Sequence, residues 1–205
     1  MLNQTGFDLW ADGYDQSVGL SEAQGSYPFA GYRDILNAIY NRVLSGPGKT
    51  VLDIGFGTGT LTTRLYEQGC HIYGQDFSPR MLELARQKMP GARLYQGDFS
   101  RGLAEKLRGH RYDAIVATYS LHHLTDDQKV PFLQGLLPLL TPEGGIYIGD
   151  VAFQTRAELE ACRTRAGDSW DLEEYYFVYD ELRPALPQLT FTQYSPCSGL
   201  LELRA

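Results

Sequence analysis

The sequence predicts an α/β protein with a doubly wound, mostly parallel sheet. Short apolar runs alternate along the chain with stretches of helical periodicity, which is typical of strands buried on both faces of a parallel sheet. The first run contains Val51, Leu52 and Ile54, and a glycine-rich turn and a helical stretch follow it, as in a nucleotide-binding βαβ unit. The last two predicted strands are joined by a turn so short that they must pair antiparallel.

The chain is predicted to be one structural unit with two parts. Its 205 residues suit a single domain with a small addition. Residues 1–45 are expected to form a helical lid packed on the core, and residues 46–205 the main domain. Within the lid, apolar side chains at helical spacing predict a short helix around Trp10 and a longer one from Tyr32 to Val43.

Three glycines, Gly55, Gly57 and Gly59, follow the first strand at alternate positions. Glycine is needed in such a turn because the backbone bends sharply and a Cβ would hold a ligand away. The spacing does not fit the dinucleotide fingerprint G-x-G-x-x-G, whose last glycine would fall on Thr60 or Thr62. A glycine-rich turn in an ordinary α/β protein is the alternative interpretation.

Asp76 stands at the carboxyl end of the second predicted strand, His71–Gln75, where an open α/β sheet places ligand groups. A carboxylate there can accept hydrogen bonds from two adjacent ribose hydroxyls, each worth about 1.5–3 kcal/mol. A nicotinamide dinucleotide would use the same group, so Asp76 alone does not identify the ligand. Ser78 and Pro79 then begin a helix as its N-cap and first residue.

The remaining predicted elements continue the alternation of strands and helices. They are strands at 93–96, 112–117 and 146–150, a helix from 125 to about 140, a turn at 141–145, helical structure over 155–186, and a final hairpin of strands at 189–194 and 199–203. Five parallel strands and the hairpin together predict a sheet of seven strands.

Four segments, in this order, resemble the motifs of the class I S-adenosylmethionine-dependent methyltransferases. They are Asp53-x-Gly55-x-Gly57-x-Gly59, Asp76-x-Ser78-Pro79-x-Met81-Leu82, Gly97-Asp98-Phe99, and the fourth strand with the residues Thr118-Tyr119-Ser120 after it. The likeness spans roughly residues 10 to 150. It implies a Rossmann-like fold, S-adenosylmethionine as the cofactor, and transfer of its methyl group to an acceptor by direct in-line displacement.

The resemblance also implies which residues bind the cofactor. They are Asp53, Gly55, Phe56, Gly57, Gly59, Asp76, Phe77, Met81, Gly97, Asp98, Phe99 and Thr118 in the main domain, with Tyr14 from the lid.

Three of these implied residues have alternative interpretations. In the family an Asp at the position of Asp98 accepts a hydrogen bond from the adenine amino group, but Asp98 could instead cap the helix expected near Ser100. A small residue is commoner at the position of Phe56, whose ring could narrow the pocket. Tyr14 belongs to a Trp-x-x-x-Tyr-Asp segment that forms a lid over the methionine end of the cofactor in the family, or else an aromatic contact that pins the N-terminus.

Catalysis of this kind requires no covalent intermediate and no metal, so the sequence predicts no metal site and leaves the catalytic residues unknown. His122 and His123, after the fourth strand, are candidates for a general base because histidine titrates near neutrality, and Tyr14 is a further candidate. Packing, or a hydrogen bond near the cofactor, is the alternative role for both histidines.

The methyl acceptor is expected to be a small molecule. The net charge of −7, without a cluster of basic residues, disfavours nucleic acid. The motifs of amino-adenine, glutamine and cytosine C5 methylation are missing after the fourth strand. An aromatic set is a candidate roof for the acceptor pocket or else simple packing, and its members are Tyr14, Tyr27, Tyr119, Trp170, Tyr175, Tyr176 and Tyr179.

Composition predicts a cytoplasmic protein, a monomer or a homodimer, with no membrane partner. The N-terminus has no basic stretch followed by an apolar one, no apolar run is long enough to span a bilayer, and three widely separated cysteines suit free thiols in a reducing compartment. Two other functions stay open. One is a non-catalytic module that binds S-adenosylmethionine or S-adenosylhomocysteine, and the other is a nicotinamide-dependent oxidoreductase.

Overall fold

The computed structural model describes residues 27–46 and 48–205. The strands of this part of the chain are β1 (Thr50–Ile54), β2 (His71–Asp76), β3 (Arg93–Gln96), β4 (Tyr112–Thr118), β5 (Leu140–Phe153), β6 (Phe177–Val178), β7 (Thr190–Ser195) and β8 (Ser198–Arg204). The α-helices are α1 (Tyr32–Leu44), α2 (Thr60–Glu67), α3 (Pro79–Lys88), α4 (Glu105–Arg108), α5 (Asp126–Leu136), α6 (Arg156–Ala166) and α7 (Tyr179–Leu182). Short 3₁₀ turns lie at Phe99–Arg101, Leu121–His123, Leu137–Leu139 and Gly167–Ser169.

The strands form one mixed sheet in the order β3-β2-β1-β4-β5-β8-β7, with the two-residue β6 beside β5. Strands β1 to β6 pair in parallel, whereas β8 runs antiparallel to β5 and to β7. The predicted parallel sheet with a C-terminal antiparallel hairpin is confirmed, and β6 is an addition to the seven predicted strands. The strand order reverses between β1 and β4, so the crevice outside their carboxyl ends is the expected place for a ligand.

Helices cover both faces of the sheet, as a doubly wound fold requires. One buried cluster joins apolar residues of α1, α2, α3 and α6 to one face, and a second joins those of α4, α5 and α7 to the other. Helix α1 lies especially close, because a Cβ on Gly149 of β5 would collide with the Cγ2 atom of Ile35. Ile35 and Ile39 are fully buried, so α1 is part of the core.

Two predicted elements differ from the structure. The turn expected at 141–145 lies inside β5, where four residues bulge out between the pairs Tyr112–Leu140 and Ala114–Gly145. The helix expected over 155–186 ends at Ala166, before Gly167 with its φ of 53°. Beyond that point the prediction holds only for the short helical segments Gly167–Ser169 and Tyr179–Leu182. It was wrong between them, because β6 pairs with the end of β5 and the aromatic side chains before it pack on the core.

The helix predicted around Trp10, and with it Tyr14, lies outside the described residues. Of the predicted lid at 1–45, the described part is a turn at 27–31 followed by α1. Within the described chain, none of the helices combines the length and the apolar character that crossing a bilayer demands.

Candidate functional site

The turn after β1 lies at the carboxyl edge of the sheet and contains three glycines. Gly55, Gly57 and Gly59 have φ values of 71°, 54° and 76°, a region that favours glycine. A Cβ built on Gly57 meets none of the described atoms within 4 Å, so among residues 27–46 and 48–205 the space above this glycine is open. Helix α2 begins directly after Gly59, so its first amides face the same crevice.

Gly55 and Ser120 hold the ends of β1 and β4 together. A Cβ on Gly55 would overlap the side chain of Ser120 and would lie 3.4 Å from the ring of Phe99. The Ser120 hydroxyl donates a hydrogen bond of 2.7 Å to the carbonyl of Ile54. Three predicted motif segments therefore meet at one point. The role of Ser120 in joining them was not predicted, because a hydroxyl-to-carbonyl contact across 66 residues leaves no local pattern.

Asp76 lies at the carboxyl end of β2 and orders the glycine turn. Its Oδ2 atom accepts a hydrogen bond of 2.8 Å from the Gly57 amide, and its Oδ1 atom accepts one of 2.9 Å from the Ser78 amide. These two hydrogen bonds fix the carboxylate against the glycine turn, at the carboxyl end of β2.

Asp53 is a buried acid beneath the same turn. Burial raises its pKa to about 7, Thr62 opposes the shift, and the neighbouring Asp76 adds to it. Its Oδ1 atom is buried and has no hydrogen-bond partner among the described residues. An unpaired carboxylate oxygen in such a place is costly unless a ligand supplies a donor or a positive charge.

The remaining predicted cofactor residues have different surroundings. Phe56 is buried, and a Cβ on Gly74 would lie 2.7 Å from its ring, so the ring belongs to the core. Asp98 is exposed and accepts hydrogen bonds from the Ser100 amide at 2.9 Å and the Ser100 hydroxyl at 2.6 Å. This is the capping geometry that the sequence left open as the alternative.

Other predicted members stand where strands end or helices begin. Gly97 follows β3, and Phe77 precedes the start of α3 and is half-buried. Met81 and Phe99 are buried, and Thr118 is the half-buried last residue of β4. All of them lie in segments that follow or border the carboxyl ends of neighbouring parallel strands.

His122 lies buried in the turn after β4, between two carboxylates. Its Nδ1 atom is 2.7 Å from Oδ1 of Asp150 on β5, and its Nε2 atom is 3.3 Å from Oε1 of Glu174. Burial alone would lower the pKa of His122, but attraction to Asp150 and Glu174 outweighs it and raises the pKa. Burial and the neighbouring His122 lower the pKa of His123 to about 3.

The segment 170–176 closes over these histidines. The Tyr175 amide donates a hydrogen bond of 2.8 Å to the carbonyl of His122, and the Tyr176 hydroxyl donates one of 2.8 Å to Oε2 of Glu174. Tyr27 stacks on Trp170 with ring centroids 5.0 Å apart, and its hydroxyl contacts that of Tyr176. These aromatic side chains therefore pack on one another and on the core.

Two other members of the predicted aromatic set lie elsewhere. Tyr119 is buried beside Phe29 and Tyr32, and Tyr179 stacks on Phe191. A cavity of about 190 Å³ lies on the outer side of the segment 170–176, between it and α6. It is lined by Trp170 and Glu174 among others.

Comparison with known proteins agrees with this arrangement. A family model described as "Methyltransferase domain" matches residues 51–144. An uncharacterised methyltransferase of Geobacillus sp. (strain WCH70) is 36% identical over 208 aligned residues, which cover 96% of this chain and 94% of the relative. An uncharacterised methyltransferase of Oceanobacillus iheyensis is 33% identical over 192 residues, covering 90% and 87%.

The solved structure of a DhpI–SAH complex superposes on this chain with a TM-score of 0.70 and 16% sequence identity. The superposition covers 97% of this chain and 93% of the DhpI chain. This likeness concerns the fold. The sequence relatives, the motif segments around the crevice and the fold lead to the same family: the chain belongs to the class I S-adenosylmethionine-dependent methyltransferases.

Proposed function

We propose that this methyltransferase acts on a small-molecule acceptor that reaches the crevice at the ends of β1 and β4. The observation that carries the proposal is the contact between the segment 170–176 and the turn after β4. His122 is bound to this segment through its backbone carbonyl and through its side chain. A cover at this turn suits a compact acceptor.

The residues present fit S-adenosylmethionine. Among the described residues the space above Gly57 is open, which suits a ligand against the backbone. The Asp76 carboxylate stands at the end of β2, where a carboxylate suits the ribose hydroxyls. The unpaired Oδ1 atom of Asp53 suits the positively charged end of the cofactor. When bound, the cofactor supplies an electrophilic methyl carbon on a sulfonium.

The chain's own contribution to catalysis is alignment and exclusion of water. The Ser120 contact fixes the end of β4 against the glycine turn, so an acceptor bound at Thr118 would face the cofactor at a constant distance. The Nε2 atom of His122 is directed at Glu174. In this arrangement the His122 side chain links the turn after β4 to the segment 170–176.

The test is to incubate the purified protein with methyl-labelled S-adenosylmethionine and, in parallel reactions, with the small-molecule, the RNA or the protein fraction of a cell extract. Label is expected in the small-molecule fraction, and Asp76→Ala should strongly reduce the transfer at a cofactor concentration near the wild-type dissociation constant. His71→Ala, which changes an exposed residue at the other end of β2, is the matched control.

Label confined to RNA or protein would contradict the small-molecule acceptor. Tight binding of S-adenosylhomocysteine with no transfer into any fraction would favour the non-catalytic module.

A further inference from the structure

We propose that His122, His123 and Glu174 form a binding site for one divalent transition-metal ion of the zinc type, beside the end of β4. The ligating atoms of these three side chains lie within 4.8 Å of one another. The proposed methyl transfer does not require this ion, so the site is a separate property of the chain.

The distances suit coordination. Around a tetrahedral ion with bonds of about 2.1 Å, neighbouring ligand atoms are about 3.4 Å apart. Nε2 of His122 and Oε1 of Glu174 are already 3.3 Å apart. The two imidazole rings have centroids 4.4 Å apart and an interplanar angle of 68°, so a small side-chain rotation of His123 completes the triangle.

Neighbouring groups orient two of the three ligands. The Asp150 carboxylate is hydrogen-bonded to Nδ1 of His122. Nε2 is therefore the nitrogen that faces Glu174. Asp150 is itself held by the Val151 amide at 2.8 Å. The Tyr176 hydroxyl holds Oε2 of Glu174 and leaves Oε1 toward the histidines. A carboxylate behind a ligating histidine, and a hydrogen bond to a ligating carboxylate, are the usual supports of a metal site.

The charges around the histidines also favour a cation. Asp150 is fully buried and the Glu174 side chain is 19% exposed, so two carboxylates bracket one imidazole. The nearby Lys129 ammonium donates to Asp126 at 2.7 Å and to the Tyr176 carbonyl at 3.1 Å. A divalent ion between Nε2 and Oε1 would balance the second carboxylate.

The ligand types select the class of ion. Two imidazoles and one carboxylate suit zinc and other first-row divalent metals, whereas calcium and magnesium prefer oxygen ligands. Three protein ligands leave a coordination position open for water or another ligand.

The experiment uses the full chain, stripped with a chelator and titrated with Co²⁺ by visible absorption and with Zn²⁺ by calorimetry. We expect one ion per chain, with d–d bands of a nitrogen and oxygen site and no thiolate charge-transfer band. Glu174→Gln and His123→Ala should each weaken Zn²⁺ binding about tenfold or more. His71→Ala is the control, since it removes a histidine outside the cluster and should leave the affinity unchanged.

Circular dichroism and urea unfolding of the metal-free variants check that each is folded. No binding by the stripped wild-type chain would overturn the proposal and leave Asp150, His122 and Glu174 as a plain ion-pair triad. Equal affinity in wild type and both ligand variants would also overturn it, as would a thiolate band that assigns the ion to the buried cysteines.

Discussion

Replacing Gly57 by alanine adds one methyl group to the proposed cofactor crevice. The added Cβ meets no atom of the described chain within 4 Å, and the Gly57 amide can still donate to Asp76. Gly167, at the end of α6, is a control for cofactor binding, because it is not among the predicted cofactor residues. Its φ is 53° against 54° at Gly57, its ψ is −125°, and a Cβ there meets no atom of the described chain within 4 Å.

Both substitutions should cost stability, but only Gly57→Ala should change cofactor affinity. A non-glycine residue in a backbone conformation that favours glycine costs about 1–3 kcal/mol, so each variant should lose free energy of unfolding of that order. A methyl group pressed into a filled site costs a further 1–3 kcal/mol or so, which weakens binding about 5- to 150-fold in Gly57→Ala alone.

Urea denaturation measures the first quantity, and titration calorimetry with S-adenosylhomocysteine measures the second. If Gly57→Ala binds as tightly as Gly167→Ala, the cofactor does not lie against Gly57 and the proposed placement is refuted.

Three further perturbations test the acids of the crevice and the packing of α1. Burial raises the pKa of Asp53 from 3.8 to about 7, so the folded state retains a proton that the unfolded chain releases. The ligand-free protein should therefore lose up to about 4 kcal/mol of free energy of unfolding as the pH rises from about 4 to about 7. The Asp53→Asn variant should not show this loss. Equal pH dependence of urea unfolding in the wild type and the variant would contradict the reasoning. Asp76→Ala should weaken binding of S-adenosylhomocysteine by about 2 kcal/mol, roughly 30-fold, and calorimetry showing unchanged affinity would remove Asp76 from the site. Gly149→Ala should cost about 1–3 kcal/mol because the new Cβ collides with Cγ2 of Ile35. Adding Ile35→Leu should recover part of that loss in thermal unfolding, because leucine has no branch at Cβ. If the losses of the two single variants simply add in the double variant, the contact between the two side chains does not matter.

Most of the sheet could be predicted because each strand has a local signature. The apolar runs of β1 and β4 are buried on both faces, as continuous runs predict. The short connection between β7 and β8 required antiparallel pairing, and the structure has it. The order of glycines and acids also indicated the family, which the sequence relatives confirm.

The stretch after Ala166 could not be predicted in the same way. Its aromatic residues fall at spacings that also fit a helix, and periodicity alone does not distinguish the two. The structure ends the helix at Gly167 and pairs Phe177 with Ala152 of β5. That pairing joins residues 25 positions apart, so no window of local sequence contains it.

The sequence by itself determined the alternation of strands and helices, the glycine turn after β1, and the placing of Asp76 at the end of β2. These follow from neighbouring residues, whose side-chain period and backbone freedom act over a few positions. Only the tertiary structure decided that His122 lies between Asp150 and Glu174, and that Ser120 packs against Gly55. Such contacts depend on how whole strands and their following turns are brought side by side, and residues far apart in the chain carry no mark of one another.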